Sequence, residues 1–251
     1  MDLKQAGKRA LITGGSKGIG YACAVSFASE GVQPVLVARS ADGLARAAAS
    51  LREATGASAE IIALDVAGDG AAAALLQRAG HIDFLINNAG AIPAGDLQQV
   101  DDARWRAAWE LKLFGYINLS RAWLPQMQAR RDGVIVNVVG MAGVAHRSTY
   151  LCGSMANAAL IAFTNAVGAA STKFGVRVFG VNPGQTRTER MLALRAEGAA
   201  PALSAGLAFG RPAEPHEIAD LVVFGCSPRA GYLSGTVVNV DGGQQYSVSA
   251  Q

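Results

Sequence analysis

The stretch Thr13-Gly14-Gly15-Ser16-Lys17-Gly18-Ile19-Gly20 decides the fold of this 251-residue chain. It follows the apolar run RALITG, residues 9–14, and leads directly into an Ala-rich helical segment. Glycines permit a tight turn and a close backbone approach to a pyrophosphate, and the start of the next helix offers free N–H groups. In other proteins, glycine-rich turns only join a strand to a helix and bind no ligand. With a strand before it and a helix after it, this loop predicts a dinucleotide site. The predicted contacts are Gly14, Ser16, Lys17, Gly18, Ile19 and Gly20.

Short β-branched runs alternate with longer Ala-rich segments along the rest of the chain. Strands are predicted at 9–14, 34–39, 59–66, 82–88, 133–139, 176–182 and 236–240, and helices near 18–30, 42–54, 70–79, 101–129, 154–173 and 214–226. Nearly continuous apolar strands are typical of a parallel sheet that is covered on both faces. No linker, repeat or break in composition divides the chain. We therefore predict an α/β protein with a single domain over residues 1–251. Its expected architecture is a Rossmann-like, doubly wound parallel sheet of about seven strands with helices on both faces.

The end of the second predicted strand bears on which dinucleotide binds. Arg39 stands where an NAD site usually places an acidic residue, and an arginine there favours the 2′-phosphate of NADP. Lys17, in the glycine loop, could add a second cation. Both side chains could also be solvated surface charges. We expect NADP as the cofactor, with NAD possible.

Composition excludes several classes of protein. The chain is 51% hydrophobic and 16% charged, with a net charge of +3, which does not fit a disordered polymer. Since there is no basic block of five or more residues, we expect no nucleic-acid partner. The three cysteines are widely spaced and no metal-ligand spacing occurs, so reduced thiols in a cytoplasmic protein and no metal site are expected.

The segment of residues 148–172 carries no charged side chain. It is long enough to span a bilayer, which takes roughly 20 residues. Serine, threonine and asparagine are spread through the segment and would be costly against lipid. The N-terminus has no apolar stretch of secretory length before its glycines. We expect no membrane partner and a helix buried between the core and a subunit.

Several motifs together resemble the short-chain dehydrogenase/reductase family, from about Arg9 to Gly243. TGGSKGIG is similar to its TGxxxGxG loop, and residues 87–90 read NNAG, as its motif after the fourth strand does. Residues 232–235 and 240–243 look like its C-terminal signature. The resemblance implies hydride transfer between NAD(P) and a carbonyl or alcohol of a small-molecule substrate. It also implies cofactor contacts by Asp65, Val66, Asn87, Ala89, Gly90, Pro183, Gly184 and Thr188.

The resemblance does not extend to the family's usual catalytic residues. Aligned on the flanking motifs, Lys112 takes the place of the asparagine, Gly140 of the serine, Gly153 of the tyrosine and Asn157 of the lysine. A tyrosine is present nearby, at Tyr150.

Our hypothesis is that Lys112 supplies the cation, Tyr150 the phenol and Asn157 an orienting amide, with His146 as a reserve acid. Alternatively, Lys112 is a solvated or interface residue and Tyr150 an ordinary packed aromatic. The protein would then be a catalytically impaired NADP(H)-binding sensor or partner subunit.

In family members the segment near 188–211 covers the substrate as a lid. Here it is rich in apolar residues that would suit a hydrophobic substrate, or would pack as core: Met191, Leu192, Leu194, Leu203, Leu207 and Phe209. The helix bearing Trp105, Trp109, Leu113 and Tyr116 and the uncharged helix match the pair through which family members dimerise. A homodimer or homotetramer is therefore expected.

Overall fold

A sheet of seven parallel strands forms the centre of this computed structural model, in which residues 1–196, 207 and 209–246 are described. The strands are β1 (Arg9–Thr13), β2 (Gln33–Ala38), β3 (Glu60–Ala63), β4 (Phe84–Asn87), β5 (Gly133–Val138), β6 (Val176–Pro183) and β7 (Val237–Val240). Their order across the sheet is β3-β2-β1-β4-β5-β6-β7. The predicted fold class and the seven strands are confirmed.

Helices cover both faces of the sheet. They are α1 (Gly18–Ser29), α2 (Ala41–Thr55), α3 (Ala71–Ala79), α4 (Asp102–Trp109), α5 (Gly115–Arg130), α6 (Leu151–Ser171), α7 (Glu189–Ala196) and α8 (Pro215–Cys226). Successive strand residues point to opposite faces, so Ile12 packs with α1, α2 and α8, whereas Leu11 packs with α3 and α5. Two buried clusters result, one on each side of the sheet.

The segment predicted as one helix over 101–129 is interrupted. A π-helical turn at Glu110–Phe114 separates α4 from α5. Such a turn inserts an extra residue and rotates the side chains on it relative to a regular α-helix. Lys112 lies within this turn.

The uncharged segment forms α6, which begins at Leu151, three residues before the predicted start. By length and composition alone, residues Leu151–Phe174 could cross a membrane. In the fold, Leu160 and Thr164 are fully buried, and Gly168 lies so close to the carbonyl of Val178 on β6 that a β-carbon would have no room. The helix therefore packs directly on the sheet.

The strand order reverses between β1 and β4, because the chain extends the sheet first to one side and then to the other. The loops that follow these two strands meet at their carboxyl ends. In open α/β sheets this crevice is where ligands bind. The fold thus brings the glycine loop and residues 88–95 together.

Candidate functional site

Thr13 and Asn88 join the two loops at the crevice. The Thr13 Oγ1 atom accepts hydrogen bonds from the amides of Asn88 (2.9 Å) and Ala89 (3.0 Å). The Asn88 Nδ2 atom donates to the Thr13 carbonyl at 2.9 Å. Both residues belong to the quoted motifs, but no role was predicted for either. The signal that could have indicated this contact was a polar residue at the end of each of the two strands.

The glycine loop has the conformation that its sequence predicts. Gly14 and Gly18 have left-handed φ values of 66° and 57°, which side chains disfavour. A β-carbon on Gly20 would collide with the Gly14 carbonyl. Within the described part of the chain, the amides of residues 16–20 donate no hydrogen bond, because they occupy the loop and first turn of α1. The loop therefore presents free N–H groups to the crevice.

Charged and polar side chains predicted to contact the cofactor lie around this loop. Lys17 and Arg39 are exposed, and Ser16 and Ile19 are half-buried. Asp65 follows β3, is exposed, and accepts a hydrogen bond from the Ala67 amide at 3.1 Å. Val66 beside it is half-buried.

Asn87 has a different environment from its neighbours. Its side chain is fully buried, and its Nδ2 atom donates to Asn137 Oδ1 at 2.9 Å and to Ser120 Oγ at 3.3 Å. The amide therefore joins β4, β5 and α5 inside the core. The cofactor contact predicted for Asn87 stays a prediction.

The segment after β6 closes over the glycine loop. The amide of Gly184, next to Pro183, donates to the Val240 carbonyl at 2.9 Å. Thr188 lies above Gly18, with its methyl carbon 3.3 Å from where a β-carbon of Gly18 would be. These contacts place the start of α7 at the mouth of the crevice.

Lys112 points from the π-helical turn toward the end of β5. Its ammonium donates to the carbonyls of Val139 (2.8 Å) and Val138 (3.2 Å), and its side chain borders Gly90. Burial lowers the pKa of Lys112 to about 7, and the positive charge of Arg190 acts in the same direction. Near neutral pH this amine can therefore either hold or release a proton.

Tyr150 is the residue that precedes α6, and its backbone is not helical. Its ring folds back over Gly153, where it leaves no room for a β-carbon. The ring also packs against the buried cluster of Ile92, Ala108, Cys152 and Ala156. Burial raises the pKa of the phenol, and Arg190 opposes this by favouring the phenolate.

Asn157 lies two turns along α6 and faces the chain after β5. Its Nδ2 atom is 2.9 Å from where a β-carbon of Gly140 would be, and its buried Oδ1 atom has no hydrogen-bond partner among the residues that the structure describes. An unpaired buried acceptor is costly, so it offers a site for a donor from a bound molecule or water. His146 is exposed, with Nδ1 3.1 Å from the Ala142 carbonyl.

The structure brings the three predicted catalytic residues to one end of the sheet without joining them directly. Among the described residues, Lys112 makes no hydrogen bond to Tyr150 or Asn157. The cation that acts on the Tyr150 phenol is Arg190, which the sequence analysis did not single out. Nothing in the sequence sets Arg190 apart from Arg195 and Arg211, the other arginines of the lid segment.

Arg190 lies on α7 and reaches the loop after β4. It donates to the carbonyls of Gly90 (2.9 Å) and Ile92 (2.5 Å). A cavity of about 740 Å³ opens beside it and runs to the end of β2. Its lining is Arg39, Asp65, Ala67, Ala91, Ile92, Pro93, Ala94, Arg104, Ala107, Ala108, Glu110, Leu111 and Arg190.

None of the predicted apolar lid residues that the structure describes lines this cavity. Leu192 and Phe209 are exposed, Met191 is half-buried, and the Phe209 ring lies against Gly242. Leu203 and the side chain of Leu194 lie outside the described residues, and Leu207 is half-buried. An apolar substrate wall stays a prediction.

Comparison with known proteins identifies the family. Residues 8–198 match the family described as short chain dehydrogenase. The chain is 36% identical to cis-4-hydroxycyclohexanecarboxylate dehydrogenase of Sinomonas cyclohexanicum over 93% of this chain and 95% of that protein. It is 35% identical to galactitol 2-dehydrogenase (L-tagatose-forming) of Cereibacter sphaeroides, over 94% of each chain.

Among solved structures, L-sorbose reductase from Gluconobacter frateurii, complexed with NADPH and L-sorbose, superposes with a TM-score of 0.89. It is 33% identical and covers 99% of this chain and 100% of its own. The match extends over nearly the whole length of both chains, so it includes the seven-stranded sheet and the motifs at the crevice. The chain belongs to the short-chain dehydrogenase family, whose relatives here are NAD(P)-dependent oxidoreductases.

Proposed function

We propose that this protein is an NADP(H)-preferring oxidoreductase that transfers a hydride between nicotinamide and a carbonyl or alcohol group of an apolar small molecule. The observation that carries the proposal is the crevice itself. Free amides of residues 16–20 face it, Thr13 and Asn88 fix its two sides, and Arg39 stands at its edge. Backbone amides suit a diphosphate, and an arginine suits a 2′-phosphate.

The residues present fit NADP. The left-handed φ values of Gly14 and Gly18 keep side chains out of the space above the loop, and Arg39 makes no ion pair within the described part of the chain. Nicotinamide, when bound, supplies or accepts the hydride. NAD stays possible, because the loop amides would serve either dinucleotide.

Tyr150 is the proposed proton donor or acceptor. Its ring occupies the volume above Gly153, the position that aligns with the family's tyrosine, although it starts three residues earlier in the chain. Asn157 would orient the substrate or a water through its unpaired Oδ1. Lys112, with a pKa of about 7, is the proposed proton reservoir beneath them. On this proposal, the catalytic residues differ from the set that is usual in the family.

Tyr150→Phe tests the proposed role. NADPH oxidation with a panel of aliphatic and aromatic ketones is the assay, and we expect a fall in kcat of about 100-fold or more, as for loss of a general acid. NADPH affinity should not change. Tyr232→Phe is the matched control, because Tyr232 is fully exposed. Unchanged turnover in Tyr150→Phe would contradict the assignment.

Two observations favour a second function, a non-catalytic NADP(H)-binding sensor or partner subunit. Burial raises the pKa of Tyr150, and the Lys112 ammonium already donates to two carbonyls. This reading predicts tight NADPH binding with no turnover on any ketone. The names of the relatives include both a polyol and a cyclic hydroxy acid, so they do not select one substrate.

We further propose a cytoplasmic homodimer or homotetramer with a lid near 188–211. Two observations support the assembly: Phe114 and Met155, on the π-helical turn and α6, are 42% and 47% exposed. The free thiols of Cys23, Cys152 and Cys226 support a reducing compartment. Light scattering at micromolar concentration tests the assembly, and a monomer would contradict it.

A further inference from the structure

Residues 188–190 lie across the crevice and contact both of its walls; we call them the crossing segment. On one side, the methyl group of Thr188 lies against Gly18 in the glycine loop. On the other side, the guanidinium of Arg190 donates to two carbonyls in the loop after β4. The crossing segment therefore covers the part of the crevice to which the glycine loop presents its free amides.

The backbone holds the crossing segment at its N-terminal end. The amide of Arg187 donates to the Ala213 carbonyl at 2.8 Å, and the amide of Ala213 donates to the Gln185 carbonyl at 2.9 Å. The guanidinium of Arg187 also pairs with the carboxylate of Glu214 at 2.9 Å. These bonds form a short ladder beside the start of α8, so this end of the segment is fixed.

Across the crevice, a single side chain makes the polar contacts. Arg190 donates to the carbonyls of Gly90 at 2.9 Å and Ile92 at 2.5 Å. Within the described part of the chain, no other hydrogen bond joins the crossing segment to the loop after β4. The donor is charged, which makes these bonds stronger than those between neutral groups. Because they involve a side chain, they can break without disrupting any strand or helix.

We propose that Arg190 is a positioning residue that controls the rate at which NADP(H) enters and leaves the crevice. While its two bonds are made, the crossing segment stays closed over the glycine loop. When they break, the segment moves about its fixed end and the crevice opens. Opening motions of this kind limit ligand release in many enzymes. The inference rests on the proposed function only for the identity of the ligand, and it applies equally to an enzyme and to a non-catalytic sensor.

Stopped-flow measurement of NADPH fluorescence with the full chain tests the proposal. Arg190→Met keeps an unbranched side chain but cannot donate. We expect the association and dissociation rate constants to rise together, each about tenfold, because two charge-assisted bonds no longer hold the segment closed. The Kd, which is the ratio of the two constants, should change little. Arg229→Met is the matched control, because exposed Arg229 also donates to a backbone carbonyl, that of Asp2, at 3.2 Å.

Two other roles of Arg190 give different results. If Arg190 contacted the cofactor directly, only the dissociation rate constant would rise in Arg190→Met, and the proposal would be overturned. Unchanged rate constants would overturn it too. Arg190→Lys keeps the charge but lacks the forked donor, so it should raise both constants by a smaller factor. Constants in Arg190→Lys equal to those of the unsubstituted protein would also contradict the proposal.

The same measurements separate this inference from the proposed function. If the unsubstituted protein did not bind NADPH, both proposals would fall. If it turned over ketones but the Arg190 variants kept their rate constants, only the inference about Arg190 would fall. If the rate constants rose as expected in a protein without turnover on any ketone, only the catalytic assignment would fall.

Discussion

The ring of Tyr150 lies over the α-carbon of Gly153, where its Cε1 and Cζ atoms fill the space that a β-carbon would need. Any side chain at position 153 would collide with the Tyr150 ring in this position. Gly153 is thus a requirement of the Tyr150 conformation.

Gly153→Ala should displace that ring. An alanine normally stabilises a helix by about 0.5–1 kcal/mol relative to glycine, but overpacking a buried site costs about 1–3 kcal/mol. We expect the second effect to exceed the first, so that urea unfolding shows a net loss of stability and turnover falls. Gly115→Ala is the control, because its β-carbon would make only an ordinary 3.4 Å contact. Equal stability of both variants would contradict the prediction.

Lys112 should make stability depend on pH. Its pKa is about 7 in the fold and 10.5 ordinarily, so between these values the unfolded chain holds a proton that the folded chain lacks. Stability should therefore rise with pH across this window, by about 1–2 kcal/mol from pH 7 to 9. Urea unfolding of Lys112→Met should lose that slope. Lys173→Met, at an exposed position, should keep it.

Thr13→Val keeps the shape of the side chain but removes the acceptor of two amides. The unpaired amides of Asn88 and Ala89 should cost about 1–3 kcal/mol of stability. NADPH affinity should fall as well, because the two loops are no longer held together. Thr172→Val, at an exposed site, should change neither quantity. Wild-type affinity in Thr13→Val would show that the loops keep their positions without this bond.

Arg39→Asp should reverse the preference between dinucleotides. A carboxylate repels the 2′-phosphate of NADPH and accepts hydrogen bonds from the ribose hydroxyls of NADH. Fluorescence titration should show weaker NADPH and tighter NADH binding. Arg46→Asp, an exposed change of equal charge on α2, should leave both affinities unchanged. Equal NADPH affinity after Arg39→Asp would remove Arg39 from the site.

The central strands could be located from sequence because both of their faces are buried. For example, the run predicted at 133–139 corresponds to β5, Gly133–Val138. The π-helical turn at Glu110–Phe114 could not be foreseen, since one extra residue shifts the apolar pattern of a long helical segment too little to be recognised.

The site was predictable only where a motif fixes the backbone. The glycine loop lies where its spacing indicated, whereas Asn87 turned inward to Asn137 because both lie on adjacent buried strands. Arg104 and Arg190 come from helices far apart in the chain, and no local pattern reports that they line one cavity.

The contact between Asn157 and Gly140 has an evolutionary consequence. Gly140 has a φ of 137°, and the Asn157 amide already fills the space beside it. A side chain at 140 is therefore strained by the backbone conformation and requires the Asn157 amide to move. The effect of a substitution at 140 therefore depends on which residue occupies 157, so the two positions are expected to be epistatic rather than to vary independently.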